Sequence, residues 1–510
     1  MNQALPPLIR QMLATGFYDH EVTEPVELIQ THISYILLVG PYAYKVKKPM
    51  NFGFLDFTTL EQRRHFCEEE LRLNRRAAPN LYLKVLPLTQ TGEQFHLDGP
   101  GQPVEYALKM RRFPQESLLS HLFERGELTE QHFMNLAEVV AKFHAQTQTN
   151  DYIRSFGKVE QIRKAFDENY QQSEKYIGGP QTQDQFDQTK AYTDRFFAEQ
   201  QDLFVQRVQN DRLRECHGDL HLRNICLWQD EILLFDCIEF NEDFRFVDVM
   251  FDLAYAVMDC DARQRLDLGN AYLNTYLEQT GDWEGLQVLP IYLNRQAYVR
   301  AKVASFLLDD PAIPATVKAE AEQTATAYYR LAWQYTQAKQ GRLILMSGLS
   351  GSGKSTTARQ LARQLGAIHI RSDAVRKHLG GIALTQRGGP ELYTPEMTQK
   401  TYERLRDLGL LLANQGYTVI LDAKYDRQAL RQAVLDKVGS LPVTILHCTA
   451  SRPELERRLH QRQGDIADAT ADLLGQQQAA AEPFTAAERV WVRSLNTEVP
   501  IDYETLAHSL

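Results

Sequence analysis

The chain has 510 residues, with 56 Lys and Arg against 66 Asp and Glu and a formal charge of −10. That length predicts two or three domains with large cores, and the acidic balance argues against a broad nucleic-acid or anionic-membrane surface while leaving room for local basic pockets. No apolar run is long enough to cross a bilayer, residues 1–10 lack the start of a signal peptide, and the six cysteines form no Cys-x-x-Cys pair, so a cytoplasmic protein with reduced thiols is expected, without structural zinc or a disulfide framework.

In chain order, the segment to about Gln30 reads as an amphipathic helix and a loop. A hairpin follows, with strands Ser34–Val39 and Tyr42–Lys48 around a Gly40-Pro41 turn. Alternation puts Ala43, Lys45 and Lys47 on one face of the return strand. Residues 60–76 form a highly charged helix that includes Glu68, Glu69 and Glu70. Residues 81–88 and 104–110 read as strands, 118–123 and 133–144 as helices, and 151–210 as surface helices with a loop at Gly178-Gly179-Pro180.

The first chemical signal is Cys216-His-Gly-Asp-Leu-His-Leu-Arg-Asn-Ile-Cys226, followed by the strand Glu231–Asp236. Asp219, Asn224 and Asp236 make an oxygen-only donor set suited to Mg²⁺, which binds through one or two carboxylates plus phosphates. His-x-Asp-x-x-x-x-Asn is the spacing of a kinase catalytic loop, in which the Asp takes the substrate proton and the Asn holds metal. The alternative is a metal-free turn with Asp219 capping. Asp248 and Asp252 are spaced i,i+4 on a predicted helix and are expected to brace this loop. Residues 292–306 form a helix carrying Arg295, Arg300 and Lys302; such a helix either faces an anionic substrate or is a solvated face.

The second signal is Gly348-Leu-Ser-Gly-Ser-Gly-Lys354-Ser355, preceded by the apolar strand Arg342–Ser347 and followed by a helix ending near Gly366. It satisfies the Gly-x-x-x-x-Gly-Lys-[Ser/Thr] pattern. Glycines let backbone N–H groups converge on phosphates, Lys354 meets the β- and γ-phosphates, Ser355 meets Mg²⁺, and the helix N-terminus faces the anion. Gly348, Ser350, Gly351, Ser352, Gly353, Lys354, Ser355 and Thr356 are therefore the expected nucleotide contacts; the alternative is a Gly/Ser turn with an incidental lysine. Strands 367–370, 418–422 and 443–448 alternate with helices, as a parallel sheet requires. Asp373, at a strand's carboxyl end, either serves substrate or metal or caps its helix. Asp422 ends a buried strand and suits metal. Arg458 and Arg462, i,i+4 on one helix, either close over phosphates or form a solvated face. Residues 464–481 are polar, as a lid would be.

Residues 34–330 resemble the aminoglycoside phosphotransferase and choline-kinase-like group, carried by His217-Gly-Asp219 through Asn224 and by Asp236. That resemblance implies Lys45 as the ATP-binding lysine and Glu70 as its helix partner, with Lys47 and Glu69 as rivals. Residues 342–510 resemble small-molecule P-loop kinases of the gluconate kinase and zeta-toxin group. The whole chain is similar to bacterial proteins that join the two. The fold implied is an α+β protein-kinase-like bilobal fold followed by an α/β P-loop NTPase fold with a parallel sheet, divided as 1–113, 114–340 and 341–510. The function implied is an ATP- and Mg²⁺-dependent small-molecule kinase with two ATP sites, acting on hydroxyl acceptors. In it, Asp219 is the base, Asn224 and Asp236 hold metal, Asp373 and Asp422 serve substrate or metal, and Arg458 and Arg462 close the lid. The alternative is one kinase-like unit regulated by a P-loop ATPase or ATP-sensing switch.

Overall fold

The computed structural model describes residues 5–53, 55–462 and 464–510. They form two compact units. The first takes the chain up to Leu128, Lys142–Asp259 and Tyr292–Ala332; the second takes Thr129–Ala141, Cys260–Ile291 and Trp333–Leu510.

The first unit opens with six antiparallel strands: β1 (Glu27–Gln30), β2 (Ser34–Val39), β3 (Tyr42–Lys47), β4 (Tyr82–Thr91), β5 (Gln94–Leu97) and β6 (Gln102–Arg111). Their spatial order is β1-β2-β3-β6-β4-β5. Tyr44 and Val46 enter a core with Leu37, Val39, Leu86, Leu88, Ile9 and Met12. The side-chain period of two therefore turns Ala43, Lys45 and Lys47 to the other face. There the helix Leu60–Asn74 lies, started by a capping box between Thr59 and Gln62. Strand β1 replaces the loop expected before Gln30. Its Glu-Leu-Ile-Gln sequence gives little alternation to read, and pairing with β2 is what makes it a strand.

Beyond the sheet the unit is largely helical, with two short ribbons. Strands β7 (Leu213–Glu215) and β10 (Phe246–Asp248) pair, as do β8 (Ile225–Trp228) and β9 (Glu231–Leu234). Asp248 thus ends a strand and does not share a helix with Asp252, because its carboxylate is held by Arg207 (2.6 and 2.7 Å) and accepts the Met250 amide at 2.9 Å.

The second unit holds five parallel strands: β11 (Arg342–Ser347), β12 (Ile368–Arg371), β13 (Thr418–Asp422), β14 (Val443–Thr449) and β15 (Val492–Asn496), in the order β12-β13-β11-β14-β15. The edge strand β15, unforeseen in the sequence, pairs with β14 through Ile445↔Val492 to Thr449↔Asn496. Helices Lys354–Leu365 and Tyr503–His508 cover one face, where Ala358, Leu361 and Ala507 pack on Ile344, Met346 and Leu446. Helix Pro395–Asn414 covers the other so closely that a Cβ on Gly409 would meet Leu421 and Leu343 side chains at 3.0–3.2 Å. At the opposite edge, Asn270 and Asn274 of helix Leu266–Thr280 hydrogen-bond the Ala367 carbonyl at 2.9 and 3.0 Å, and Asn274 accepts the His369 amide at 2.7 Å. These side chains supply the ladder bonds that a free edge would lack. All six cysteines are buried and unbridged, and among the described residues no helix is long and apolar enough to cross a membrane.

A buried ion pair tests this packing. Arg431, fully buried, donates to Glu488 at 2.7 and 3.2 Å and also to the carbonyls of Tyr425, Glu482 and Pro483. Arg431→Ala strands the carboxylate and is expected to cost the second unit about 3–5 kcal/mol, read as an earlier urea transition. Arg431→Met with Glu488→Leu should recover most of the loss.

Candidate functional sites

In the first unit, β7 delivers the chain to His217-Gly218-Asp219. Gly218 has φ +86°, and a Cβ there would lie 2.5 Å from the Phe244 carbonyl, so the turn demands glycine. His217 Nε2 lies 2.8 Å from the Phe235 carbonyl and Nδ1 accepts the Asp219 amide at 3.3 Å. In the neutral ring those partners select the Nε2–H tautomer, while Cys237, Asp252 and Asp219 outweigh burial and raise the ring to about 9. The Asp252 carboxylate accepts the successive amides of His217 (2.7 Å) and Gly218 (2.8 Å) and is met by His144 Nε2 at 3.2 Å. Asp252 thus braces the loop, as its position suggested; His144, the last residue of the helix expected over 133–144, is its partner.

Asn224 lies beside Asp219, with its amide 3.0 Å from the Asp219 carbonyl and 3.2 Å from Oδ2. Burial pushes the Asp219 carboxyl up, but His221 at 3.4 Å and His217 outweigh it and hold the group below its ordinary value. Asp236, just beyond β9, sits at φ +63°, a left-handed conformation uncommon outside glycine and found often at functional sites. Its amide lies 3.1 Å from the Tyr82 hydroxyl, and Oδ1 accepts Lys45 Nζ at 2.9 Å.

Glu70 draws the two lysines together. Lys45 donates to one of its oxygens and Lys47 to the other, both at 2.7 Å. Lys47 is 1% exposed and also donates to Glu239, a residue the sequence reading missed. Of the two, Lys45 is the one bonded to Asp236. Glu69 instead meets Arg72 at 2.8 Å near the surface. Burial pushes Glu70 up, but Lys45 and Lys47 outweigh it and hold the carboxyl below its usual range. Burial likewise works against the Lys45 charge and is overcome by Asp236 and Glu70.

In the second unit, the loop between β11 and helix Lys354–Leu365 has positive φ at Gly348 (+134°), Gly351 (+81°) and Gly353 (+83°). A Cβ on Gly348 would stand 2.3 Å from the Cys448 carbonyl, and one on Gly351 2.8 Å from that of Leu455. Lys354 is 9% exposed and donates to the Leu349 carbonyl at 2.8 Å. Burial lowers its pKa, with Asp422 opposing. Ser352 Oγ is buried without a hydrogen-bond partner among the described residues. Ser350 N donates to Gln477 Oε1 at 3.1 Å, and Thr356 is exposed in the first turn of the helix. Asp422, at the end of β13, meets His369 at 3.0 Å and also bonds Ser355. Burial pushes Asp422 up, but the His369 bond outweighs it and the group falls to about 2.

Asp373 lies in the first turn of helix Ser372–Leu379, just past β12, where burial raises its pKa against the pull of Arg371. Arg458 reaches Gly351 O (3.4 Å), Thr497 Oγ1 (2.8 Å) and Thr497 O (2.8 Å), so it stands against the phosphate loop. Arg462 lies just past the end of the same helix, which stops at Gln461, and donates to the Ala469 carbonyl. The two arginines therefore point to different partners. Two aspartates unremarked in the sequence tie the polar segment down. Asp465 meets Arg371, and Asp468 accepts from Tyr393 (2.6 Å) and Gly388 N (3.0 Å).

These residues fit a magnesium-bound nucleotide. Among the described residues, the second unit offers a glycine cradle that side chains would fill, an ammonium bonded only to a carbonyl, an orphaned hydroxyl and a Ser–Asp pair. The first offers two carboxylates and an amide beside an ion-paired lysine. Asp252→Asn keeps one oxygen for two buried N–H groups and should destabilise the first unit by about 1–3 kcal/mol. Chemical denaturation with a probe in that unit checks it, and Asp248→Asn, which loosens Arg207 instead, should leave the exchange protection of the Gly218 amide unchanged.

Residues 57–289 match the phosphotransferase enzyme family and residues 343–484 match an AAA domain. Uncharacterized proteins of Mycobacterium tuberculosis and Mycobacterium bovis are 30% identical over 462 residues, covering 89% of this chain and 90% of theirs. Among solved structures, a sugar kinase from Janibacter aligns with 33% of this chain and 91% of its own (24% identity, TM-score 0.27), and the amicoumacin kinase hAmiN in complex with AMP-PNP, Ca²⁺ and Ami with 63% and 92% (13% identity, TM-score 0.38). The family matches support ATP-dependent kinase activity. The chain belongs to the bacterial family that joins an aminoglycoside phosphotransferase-like unit to a P-loop small-molecule kinase-like unit.

Proposed function

We propose that each unit binds its own ATP·Mg²⁺ and transfers the γ-phosphoryl group to a hydroxyl of a small-molecule acceptor. The observation that carries the reading is Lys45, an ammonium fixed between Glu70 and Asp236 next to the Asp219–Asn224 pair.

In the first unit, Lys45 positions the phosphates and Asn224 and Asp236 hold the metal, whose charge when bound offsets that of the phosphate oxygens. Asp219 orients the acceptor hydroxyl and takes its proton as the oxygen–phosphorus bond forms and the bond to ADP breaks. A carboxylate held below its ordinary pKa is ionised at neutral pH and ready to accept that hydrogen bond. In the second unit, the amides from Gly348 to Ser355 and the Lys354 ammonium receive the phosphates, Thr356 closes the first turn, and Ser355 and Asp422 hold the metal. Asp373 receives the acceptor hydroxyl. Its raised pKa makes it the better proton acceptor of the two aspartates there. Arg458, already against Gly351, stabilises charge on the transferring group, and Arg462 moves with the lid.

Separate knockouts test the assignment. With γ-labelled ATP and a metabolite library, Asp219→Asn should lower transfer by the first unit about 10²–10⁴-fold and leave products of the second intact. Lys354→Ala should do the converse. A P-loop unit that releases labelled phosphate, or nothing, while labelling no acceptor would favour the regulatory switch over a second kinase.

A further inference from the structure

Helix Leu289–Asp309 carries three cations that, among the described residues, form none of the direct ion pairs a structural role would supply. Arg295 lies over the rings of Phe251 (4.8 Å) and Phe166 (5.7 Å), and its hydrogen-bond partner is the Gln296 amide oxygen at 3.4 Å. Arg300 lies 5.7 Å from the ring of Tyr328 and bonds that residue, and Tyr328 and Asp259 outweigh burial to keep its pKa up. Lys302 donates to two neutral oxygens, Asn169 Oδ1 and Gln172 Oε1, both at 2.7 Å. Among the described residues none of the three meets a carboxylate within 4 Å. Elsewhere in the unit, buried or half-buried cations such as Lys47, Arg63, Arg76, Arg207 and Arg245 each have one.

The cluster is not a solvated face. All three residues are partly buried. Burial, then repulsion from Arg295, brings the Lys302 ammonium down to about 8, with Glu168 too distant to restore it. Burial also lowers Arg295. Half-buried like charges kept together with carboxylates only at longer range, Asp259 and Asp219 for Arg300 and Glu168 for Lys302, are costly unless an anion joins them. The cluster also lies on the catalytic side of the unit. Arg300 and Asp219 feel each other's charge, and buried Tyr255 feels Asp219, Arg295 and Arg300 together. Tyr255 in turn sits edge-on to His221, the partner of Asp219.

We infer that the acceptor phosphorylated by the first unit carries an anionic group, a carboxylate or a phosphate, which Arg295, Arg300 and Lys302 receive while its hydroxyl meets Asp219. The assignment rests on the kinase reading of that unit. It gives the site a polarity opposite to that needed for a polycationic amino sugar. Guanidiniums suit either oxyanion, because both match their forked donors, and Lys302 adds a point charge.

The test uses the full chain with Lys354→Ala and matched acceptors: gluconate and glucose 6-phosphate against glucose, glycerate against glycerol, and glucosamine as the cationic member. Anionic members should be labelled with kcat/KM at least about tenfold higher. Arg300→Gln and Lys302→Gln should raise KM about tenfold or more with kcat within about threefold, and Lys302→Arg should restore KM. Preference for neutral or cationic members overturns the inference, as does a loss confined to kcat, which would put the arginine on the transferring phosphoryl group. If nothing in the panel is labelled, citrate is titrated with Mg·AMP-PNP saturating. Thermal stabilisation by citrate that disappears in Arg300→Gln supports the anion site, and equal stabilisation of both proteins overturns it. Failure of AMP-PNP itself to bind the Lys354→Ala protein sinks the kinase reading and leaves the citrate comparison, repeated without nucleotide, to judge the basic wall.

Discussion

One carboxylate, Glu70, holds two lysines in the first unit, and the rest of that site depends on it. Lys45 and Lys47 lie two residues apart on one strand face, buried, and would repel each other without Glu70 between them. With it, Lys45 is fixed in reach of Asp236, which arrives 191 residues later in the chain. Lys47 carries the chain of charge on to Glu239. The sheet, the helix Leu60–Asn74 and the segment after β9 are thereby joined by hydrogen-bonded charges, each satisfied by the next. Removing Glu70 would leave two buried ammoniums sharing too little counter-charge.

The second unit solves the same electrostatic problem differently. Its lysine, Lys354, has no carboxylate at bonding distance among the described residues and rests on a backbone carbonyl. The nearby acid, Asp422, is engaged by His369 and Ser355. Positive potential is therefore left at the helix N-terminus, where backbone amides converge because Gly348, Gly351 and Gly353 admit no side chain. One unit neutralises its lysine with carboxylates; the other leaves the lysine underpaired.

What could be read in the sequence follows from where each signal is stored. The phosphate loop and the His217–Asn224 loop were legible because their chemistry depends on short fixed spacings, and the two-fold architecture followed from the resemblance they carried. Lys45 and Lys47 could not be told apart, since a period of two places both on one face; only Asp236, folded back from afar, separates them. Glu69 and Glu70 differ by one helical step that turns one to Arg72 and the other inward. Asp248 and Asp252 looked like one helix face, but Arg207 and the pairing of β10 with β7 hold Asp248 outside it. Edge strands β1 and β15 are short, polar and half-exposed, so they lack the alternation that marks a strand. Asp465 and Asp468, which fasten the polar segment, lie among residues with no periodicity at all.

The central claim is that two unrelated pockets in one chain each take a magnesium-bound triphosphate, and stoichiometry tests it most directly. Calorimetric titration of the intact protein with Mg·AMP-PNP should give two sites per chain, falling to one in Lys354→Ala, to the other one in Lys45→Ala, and to none in the double variant. A single site that Lys45→Ala leaves untouched, or one that Lys354→Ala leaves untouched, would contradict the account.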